Sequence, residues 1–351
     1  MVRPPPASAS DVVAVTGAAG GLGRALLERL AGGPGAPCLL ALDSAPGPHL
    51  PGVEWRATGP SRPSLADRLE GASVVVHLDT SYDTALPAVP RRTRNVAGTA
   101  VVLEAAARVG ARVVLVTSAD VWGARPDNPV PLPDAAPLRA ETDSQTLAGD
   151  HLDVERLAAR AAVPVTVLRP ATLVAGALGP SYDGQLLRQL QAPRLLAVRG
   201  YEPVWQLCHV DDLLAALELA ALGQVSGCLG VGGDGALPQS RVEQLSGRRR
   251  LELPAGVAAS TADRLQRLGL TTGSPRELDH LLGPLVVASD GLRAAEWRPA
   301  WTNEDALVAH LAARSGDSRA GAGAYTAAGA TVALLGSAAL VRRARRRRRR
   351  P

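Results

Sequence analysis

The chain reads as an α/β protein: a doubly wound parallel sheet, a smaller and less regular region after it, and a C-terminal tail. Three observations predict this. From Asp11 to Arg169, short apolar runs alternate with longer stretches of helical periodicity, as expected for strands buried under helices on both faces. The first run feeds directly into a glycine-rich turn at Gly17–Gly23. Beyond Pro170 the alternation gives way to irregular sequence richer in Gly and Pro, with no internal repeat.

The elements follow in order. Asp11–Thr16 is the first strand, and Arg24–Leu30 the helix after the turn. Cys38–Asp43 is a second strand, and a short helix lies near Ser64–Leu69. Ser73–Leu78 is a strand, Asn95–Val109 a helix and Arg112–Ser118 a strand. A helix around Leu147–Ala162 leads to the strand Pro164–Arg169. Residues 1–10 read as a loose Pro/Ser/Ala leader with no apolar signal segment, so a cytoplasmic protein is expected.

Composition excludes several chemistries. Every one of the 38 basic Lys+Arg residues is arginine, so no lysine Schiff base, P-loop lysine or lysine-assisted tyrosine is possible. Eight of these arginines crowd into the last ten residues, leaving 30 against 33 acids in the body. The net +5 therefore belongs to the tail, and the body offers no basic face for specific nucleic-acid binding. Cys38, Cys208 and Cys228 have no metal-ligand spacing and read as buried, reduced thiols; no metal site is predicted.

Gly17, Gly20 and Gly23 stand between a strand and a helix as G-x-x-G-x-x-G. Such a loop turns tightly, lets backbone approach a pyrophosphate, and offers it the amides of a helix N-terminus. Asp43 closes the second strand 20 residues beyond Gly23. A carboxylate there accepts hydrogen bonds from a ribose 2′-hydroxyl and repels a 2′-phosphate, which favours NAD over NADP. Strand-end Asp is also common in turns, and residue type alone leaves both roles open.

With these residues in view, the sequence resembles the extended short-chain dehydrogenases/reductases, the NAD-dependent epimerase/dehydratase group. Thr16–Gly23 is similar to the family's TGxxGxxG loop, and Val75–Leu78 to the end of its fourth strand. Asn95–Thr99 resembles NxxGT, Val116–Gly123 its SSxxVYG segment, Leu168–Pro170 its LRP, and His209–Asp212 its HVDD. The resemblance implies a Rossmann domain over residues 11–170 and 205–232, a small substrate domain over 171–204 and 233–312, and a tail over 313–351. It also implies NAD(P), nucleotide-sugar-like substrates and, in many members, epimerisation, dehydration or reduction. A homodimer is a further possibility. Cofactor-binding roles fall on Gly17, Gly20, Gly21, Leu22, Gly23, Asp43, Leu78, Asn95 and Arg169, and a catalytic role on Ser118.

One departure dominates. The family's Y-x-x-x-K-x-x-x-E aligns with Leu147, His151 and Glu155, so the tyrosine and lysine are gone. Leucine cannot pass a proton, and general acid–base catalysis is typically worth ~10²–10⁴ in rate. The expectation is a catalytically degenerate member, a pseudoenzyme keeping its nucleotide cleft. The alternative is an active oxidoreductase or epimerase with a relocated acid/base, His151 first among candidates. Against that stands His151 as an idle, half-exposed helical residue. Tyr82 and Tyr182 lie in loops that could approach the site, while His77 and His209 read as structural, and Asp211 and Asp212 as a helix N-cap pair. Asp79, where the family has Ala, brings a carboxylate toward the pyrophosphate unless it turns away or a cation shields it. The Asp that usually meets the adenine amine is missing near Gly59.

Residues 320–341 are uncharged and run into the arginine cluster. A membrane-surface adaptor, with this tail on the anionic inner face of a membrane, is a third reading; a disordered tail drawn to any polyanion is its plain alternative.

Overall fold

A computed structural model describes residues 11–320, apart from 254–282 and the short stretches 34, 46, 59–63, 84–85, 175, 179–181, 183–184 and 192–193. The arginine tail, with both readings made of it, lies outside the described residues. Among those described, no helix is long and apolar enough to cross a membrane.

The strands are β1 (Val12–Thr16), β2 (Cys38–Asp43), β3 (Val53–Ala57), β4 (Val74–His77), β5 (Arg112–Val116), β6 (Val165–Pro170), β7 (Thr172–Val174), β8 (Arg194–Val198), β9 (Val204–Trp205), β10 (Leu207–His209), β11 (Cys228–Val231), β12 (Leu237–Pro238) and β13 (Arg249–Leu253). Seven form one sheet in the order β11-β6-β5-β4-β1-β2-β3, every pairing parallel. Strand order reverses between β1 and β4. Their carboxyl ends therefore splay apart into the crevice where doubly wound sheets bind ligands.

The main helices are α1 (Gly21–Ala31), α2 (Leu65–Arg68), α3 (Ala88–Arg92), α4 (Gly98–Val109), α5 (Leu147–Ala159), α6 (Gln185–Arg188) and α7 (Val210–Ala221). Strand residues alternate between two cores. Val13, Val15, Val74 and Val76 face Leu26 and Leu27 of α1 and Leu213 and Leu217 of α7. Ala14, Val75 and Val113 face Val102 and Leu103 of α4 and Val154 of α5. Val13, Ala14 and Val15 are each 0% exposed, and each buried valine is worth roughly 1.5–3 kcal/mol.

Several expectations are refined. β3 was not anticipated: Val53-Glu-Trp-Arg-Ala57 carries two charges and only half-buried apolar side chains, as suits a strand at the sheet edge. The short helix near Ser64 is present, its N-terminus closed by a capping box between Ser64 and Asp67. The helix expected from Asn95 begins earlier, at Ala88, and passes through a π-helical turn, Thr93–Ala97. Helix α7 is capped by His209, whose side chain accepts the Asp211 amide, not by the aspartates. Asp212 instead accepts from the backbone amides of Ala300 and Trp301, and His209 stacks on Trp301 with centroids 3.9 Å apart. Cys208 is buried as expected, but Cys38 and Cys228 are exposed because each opens its strand at the amino end.

Candidate active site and nucleotide cleft

The glycine loop connects β1 to α1 across the crevice. Gly17 adopts φ +70°, and a Cβ there would stand 2.6 Å from the Asp79 amide nitrogen. A Cβ on Gly23 would stand 2.3 Å from the Gly17 carbonyl oxygen. Both glycines are therefore required by packing of the loop onto β4 and onto itself. Gly20 occupies the N-cap of α1 in an extended conformation and supplies no side-chain cap. The first-turn amides of Gly21, Leu22 and Gly23 have no intrahelical acceptor, and no acidic residue lies among them, so this end is open to an anion.

Asp43 sits beside the loop and is already engaged. Its Oδ2 accepts the Ala19 amide at 3.0 Å and its Oδ1 accepts the Ala45 amide at 3.0 Å. It thus acts as a tie between the end of β2 and the glycine loop. Leu78, just past β4, is buried and donates its amide to the Thr16 carbonyl.

A cleft of about 370 Å³ opens beside this loop on the β2 side, with Thr16, Leu42, Thr58, Arg68, His77 and Asp79 among its walls. The Gly59 position lies outside the described residues; Thr58 immediately before it lines the cleft. Asp79 is shielded by a cation: Arg94 donates to its Oδ1 from Nε at 2.9 Å and Nη2 at 2.5 Å. His77 is buried and shares a 2.7 Å hydrogen bond with Thr16 Oγ1 through Nδ1, while its Nε2 has no protein partner. Burial lowers its pKa to about 4, so it is neutral at pH 7.

On the β5 side, Ser118 caps a 3₁₀ turn, its Oγ accepting the Asp120 amide at 3.2 Å. Burial holds the Asp120 carboxyl above the usual carboxylate range. Leu147 is the first residue of α5, and Thr146 caps that helix. His151 is buried, only 3% exposed, so the half-exposed reading is corrected: its ring packs on Tyr82 at 5.7 Å. Burial, reinforced by Arg91, lowers its pKa to about 3, and its Nδ1 has no protein partner. Tyr82 also packs on Tyr182 at 6.2 Å and donates its hydroxyl to the Val116 carbonyl at 3.2 Å.

Two residues expected at the cofactor are engaged within the protein. Asn95 is 1% exposed; its Oδ1 accepts the Ser81 amide at 2.7 Å and its Nδ2 donates to the Ser81 carbonyl at 3.0 Å. Arg169 forks onto Glu155 with contacts of 2.9 and 2.5 Å and lies 4.8 Å from the Trp122 ring centroid. Glu155 also accepts from Thr117 Oγ1 at 2.9 Å. The glycine loop, Asp43 and Leu78 thus meet at the carboxyl ends of β1, β2 and β4, Ser118 lies just past β5, and Tyr82, tied to the end of β5, packs on His151. Asn95 and Arg169 brace this region from within. Asp120, Arg94 and Arg68 were not singled out from sequence. Asp120 lies inside a motif segment and Arg94 adjoins one, but only the fold sets Arg94 against Asp79 and Arg68 in the cleft. No cluster of His, Cys, Asp and Glu suited to a metal occurs among the described residues.

Comparison with known proteins agrees with this geometry. Residues 13–227 match the model of the NAD dependent epimerase/dehydratase family. An uncharacterised protein of Mycobacterium tuberculosis is 31% identical over 203 residues, 56% of this chain and 52% of its own length. The chain thus spans about half the length of the curated relatives it matches. Among solved structures, the Bordetella bronchiseptica enzyme WbmG in complex with NAD is similar in fold, with a TM-score of 0.61 at 20% identity, covering 88% of this chain and 94% of that one. UDP-glucose 4-epimerase from Thermotoga maritima, with UDP-glucose, has a TM-score of 0.59 at 16% identity and covers 87% and 99%. The dTDP-glucose 4,6-dehydratase of Bacillus anthracis, in complex with NAD, has a TM-score of 0.60 at 14% identity and covers 88% and 98%.

Proposed function

Because this chain belongs to the NAD dependent epimerase/dehydratase family, we propose that it binds NAD across the β1–β4 crevice and does not run the family's usual acid–base reaction. The observation that carries the second half is the start of α5. Leu147 and a buried, neutral His151 stand where the resemblance calls for a proton-transferring tyrosine and its lysine.

The residues present suit the dinucleotide. The open amides of Gly21, Leu22 and Gly23 would receive the pyrophosphate, and Arg94 offsets the Asp79 charge near it. Asp43 retains lone pairs beyond its two backbone bonds, which a ribose hydroxyl can use. NAD, when bound, supplies a hydride acceptor. What this chain lacks is a partner to take the matching proton. His151, with a pKa of about 3, is too weak a base for that task at neutral pH. NAD complexes of WbmG and the dehydratase support the cofactor reading, and the UDP-glucose complex of the epimerase supports a nucleotide-sugar-like second ligand.

Calorimetry with NAD should register saturable binding; silence up to ~1 mM would overturn the cofactor reading. With UDP-glucose, UDP-glucuronic acid and dTDP-glucose, the protein should show no turnover. An ordinary rate, about 1–10³ per second, would overturn the degenerate reading. One observation favours a second reading, an active enzyme with a displaced acid. Asp120 pairs a raised carboxyl pKa with a place beside Ser118 at the carboxyl end of β5. If turnover is found, Asp120→Asn should abolish it.

A further inference from the structure

A dinucleotide held by its pyrophosphate on α1 sends its two halves in opposite directions from the switch point. On the β2 side lies the cleft of about 370 Å³, near the lower limit of the roughly 300–1,000 Å³ typical of small-molecule sites. Its walls carry donors and hydroxyls: Arg68, with a buried Nε that has no protein partner, and Thr16, Thr58 and Ser64. On the β5 side the other half would pass between Gly20, the end of β5 and α5. There the protein places aromatic rings. Tyr82 is anchored through its hydroxyl to the Val116 carbonyl and leans on His151 at 5.7 Å. Tyr182 packs on Tyr82 at 6.2 Å, and its hydroxyl lies 3.2 Å from where a Cβ on Gly20 would stand. The rings thus run without interruption from the glycine loop to the position of the missing lysine.

We propose that the crevice is a half-site: it takes the adenosine 5′-diphosphate portion of a nucleotide, while Tyr82 and Tyr182 occupy the space a redox ring would need. The ligand class is an ADP-terminated nucleotide, of which NAD is one and ADP or ADP-ribose are others. This rests on the cofactor reading and narrows it. It also gives the lost acid–base pair a physical counterpart. With no hydride acceptor seated, a proton-transfer pair at 147 and 151 has nothing to serve, and an aromatic layer there stabilises the core through tilted ring contacts.

The test is calorimetric titration of the full chain with ADP, ADP-ribose and NAD. All three should bind within about fivefold of one another, because the nicotinamide half adds no contact. NAD binding more than about fivefold tighter than ADP would overturn the half-site. Tyr82→Leu and Tyr182→Ala should each raise the preference for NAD over ADP by more than about fivefold, with ADP affinity unchanged. Tyr182 is only half-buried, so its variant serves if Tyr82→Leu fails to fold by circular dichroism. An unchanged ratio in the folded variants would overturn the proposal. If neither ADP nor NAD binds, the cofactor reading itself falls, an outcome distinct from ADP binding with a strong preference for NAD.

Discussion

The carboxylate of Asp43 holds the backbone of Ala19: Oδ2 accepts that amide at 3.0 Å, fastening the glycine loop to the end of β2. Because Oδ1 accepts from Ala45 as well, one side chain sets both the loop and the turn after β2. Asp43→Ala should cost about 1 kcal/mol by orphaning the part-buried Ala19 amide, and should weaken ADP and NAD together. Asp43→Asn, which keeps one carbonyl acceptor, should lose less. Urea denaturation measures the first effect; a change within error would show that the ties contribute nothing.

Arg94 and Asp79 face each other at the cleft mouth, both more than half exposed. Their pairing adds little stability, below ~1 kcal/mol, but it governs the local charge. Arg94→Ala should leave Asp79 uncompensated and weaken nucleotide binding several-fold. Asp79→Ala should strengthen it. Both effects should shrink at high salt, where screening shortens the reach of exposed charges. Titrations at two ionic strengths check this, and a salt-independent change would point to a packing cause instead.

Arg91 and Asp150 form a buried pair at 2.8 Å, 2% and 0% exposed, that joins the segment around α3 to α5. Arg92 and Asn95 also reach Asp150, at 3.3 and 3.4 Å. Arg91→Leu should destabilise by ~1–3 kcal/mol, because it removes the shortest partner of a buried carboxylate and leaves Arg92 and Asn95 to satisfy it. Adding Asp150→Leu should recover part of that loss, and chemical denaturation of the two variants decides it.

His77 and His151 set an acid limit. Both are held neutral, chiefly by burial, with pKa values of about 4 and about 3 against 6.5 when unfolded. Below pH 6.5 the unfolded chain takes up protons that the fold refuses. Stability should therefore be level above pH 6.5 and fall on acidification toward pH 4, by up to ~1.4 kcal/mol per unit for each histidine. His151→Leu should flatten the slope between pH 6.5 and 4; an identical slope would assign the acid sensitivity to other groups.

Much of the fold was legible because it is written locally. The apolar runs of β1, β4 and β5 are buried on both sides, so their sequence carries no alternation and little polarity to misread. The short helix near Ser64 was expected, and the structure closes its N-terminus with a capping box between Ser64 and Asp67. β3 escaped because an edge strand needs only one neighbour and tolerates the charges of Glu54 and Arg56.

By itself the sequence determined the parallel α/β class, the glycine loop, and the presence of Leu147 and His151 at the start of α5, since each is a matter of local pattern or residue identity. Tertiary structure alone decided how those residues are used. It turned Asn95 and Arg169 inward to Ser81 and Glu155, set Arg94 against Asp79, buried His151, and packed the ring of Tyr82 between those of His151 and Tyr182. These relationships join residues far apart in the chain; Tyr82 and Tyr182 are brought together from loops after different strands. Hydrogen-bond satisfaction and desolvation act through space, and composition and spacing carry no record of which distant partner will be there to meet them.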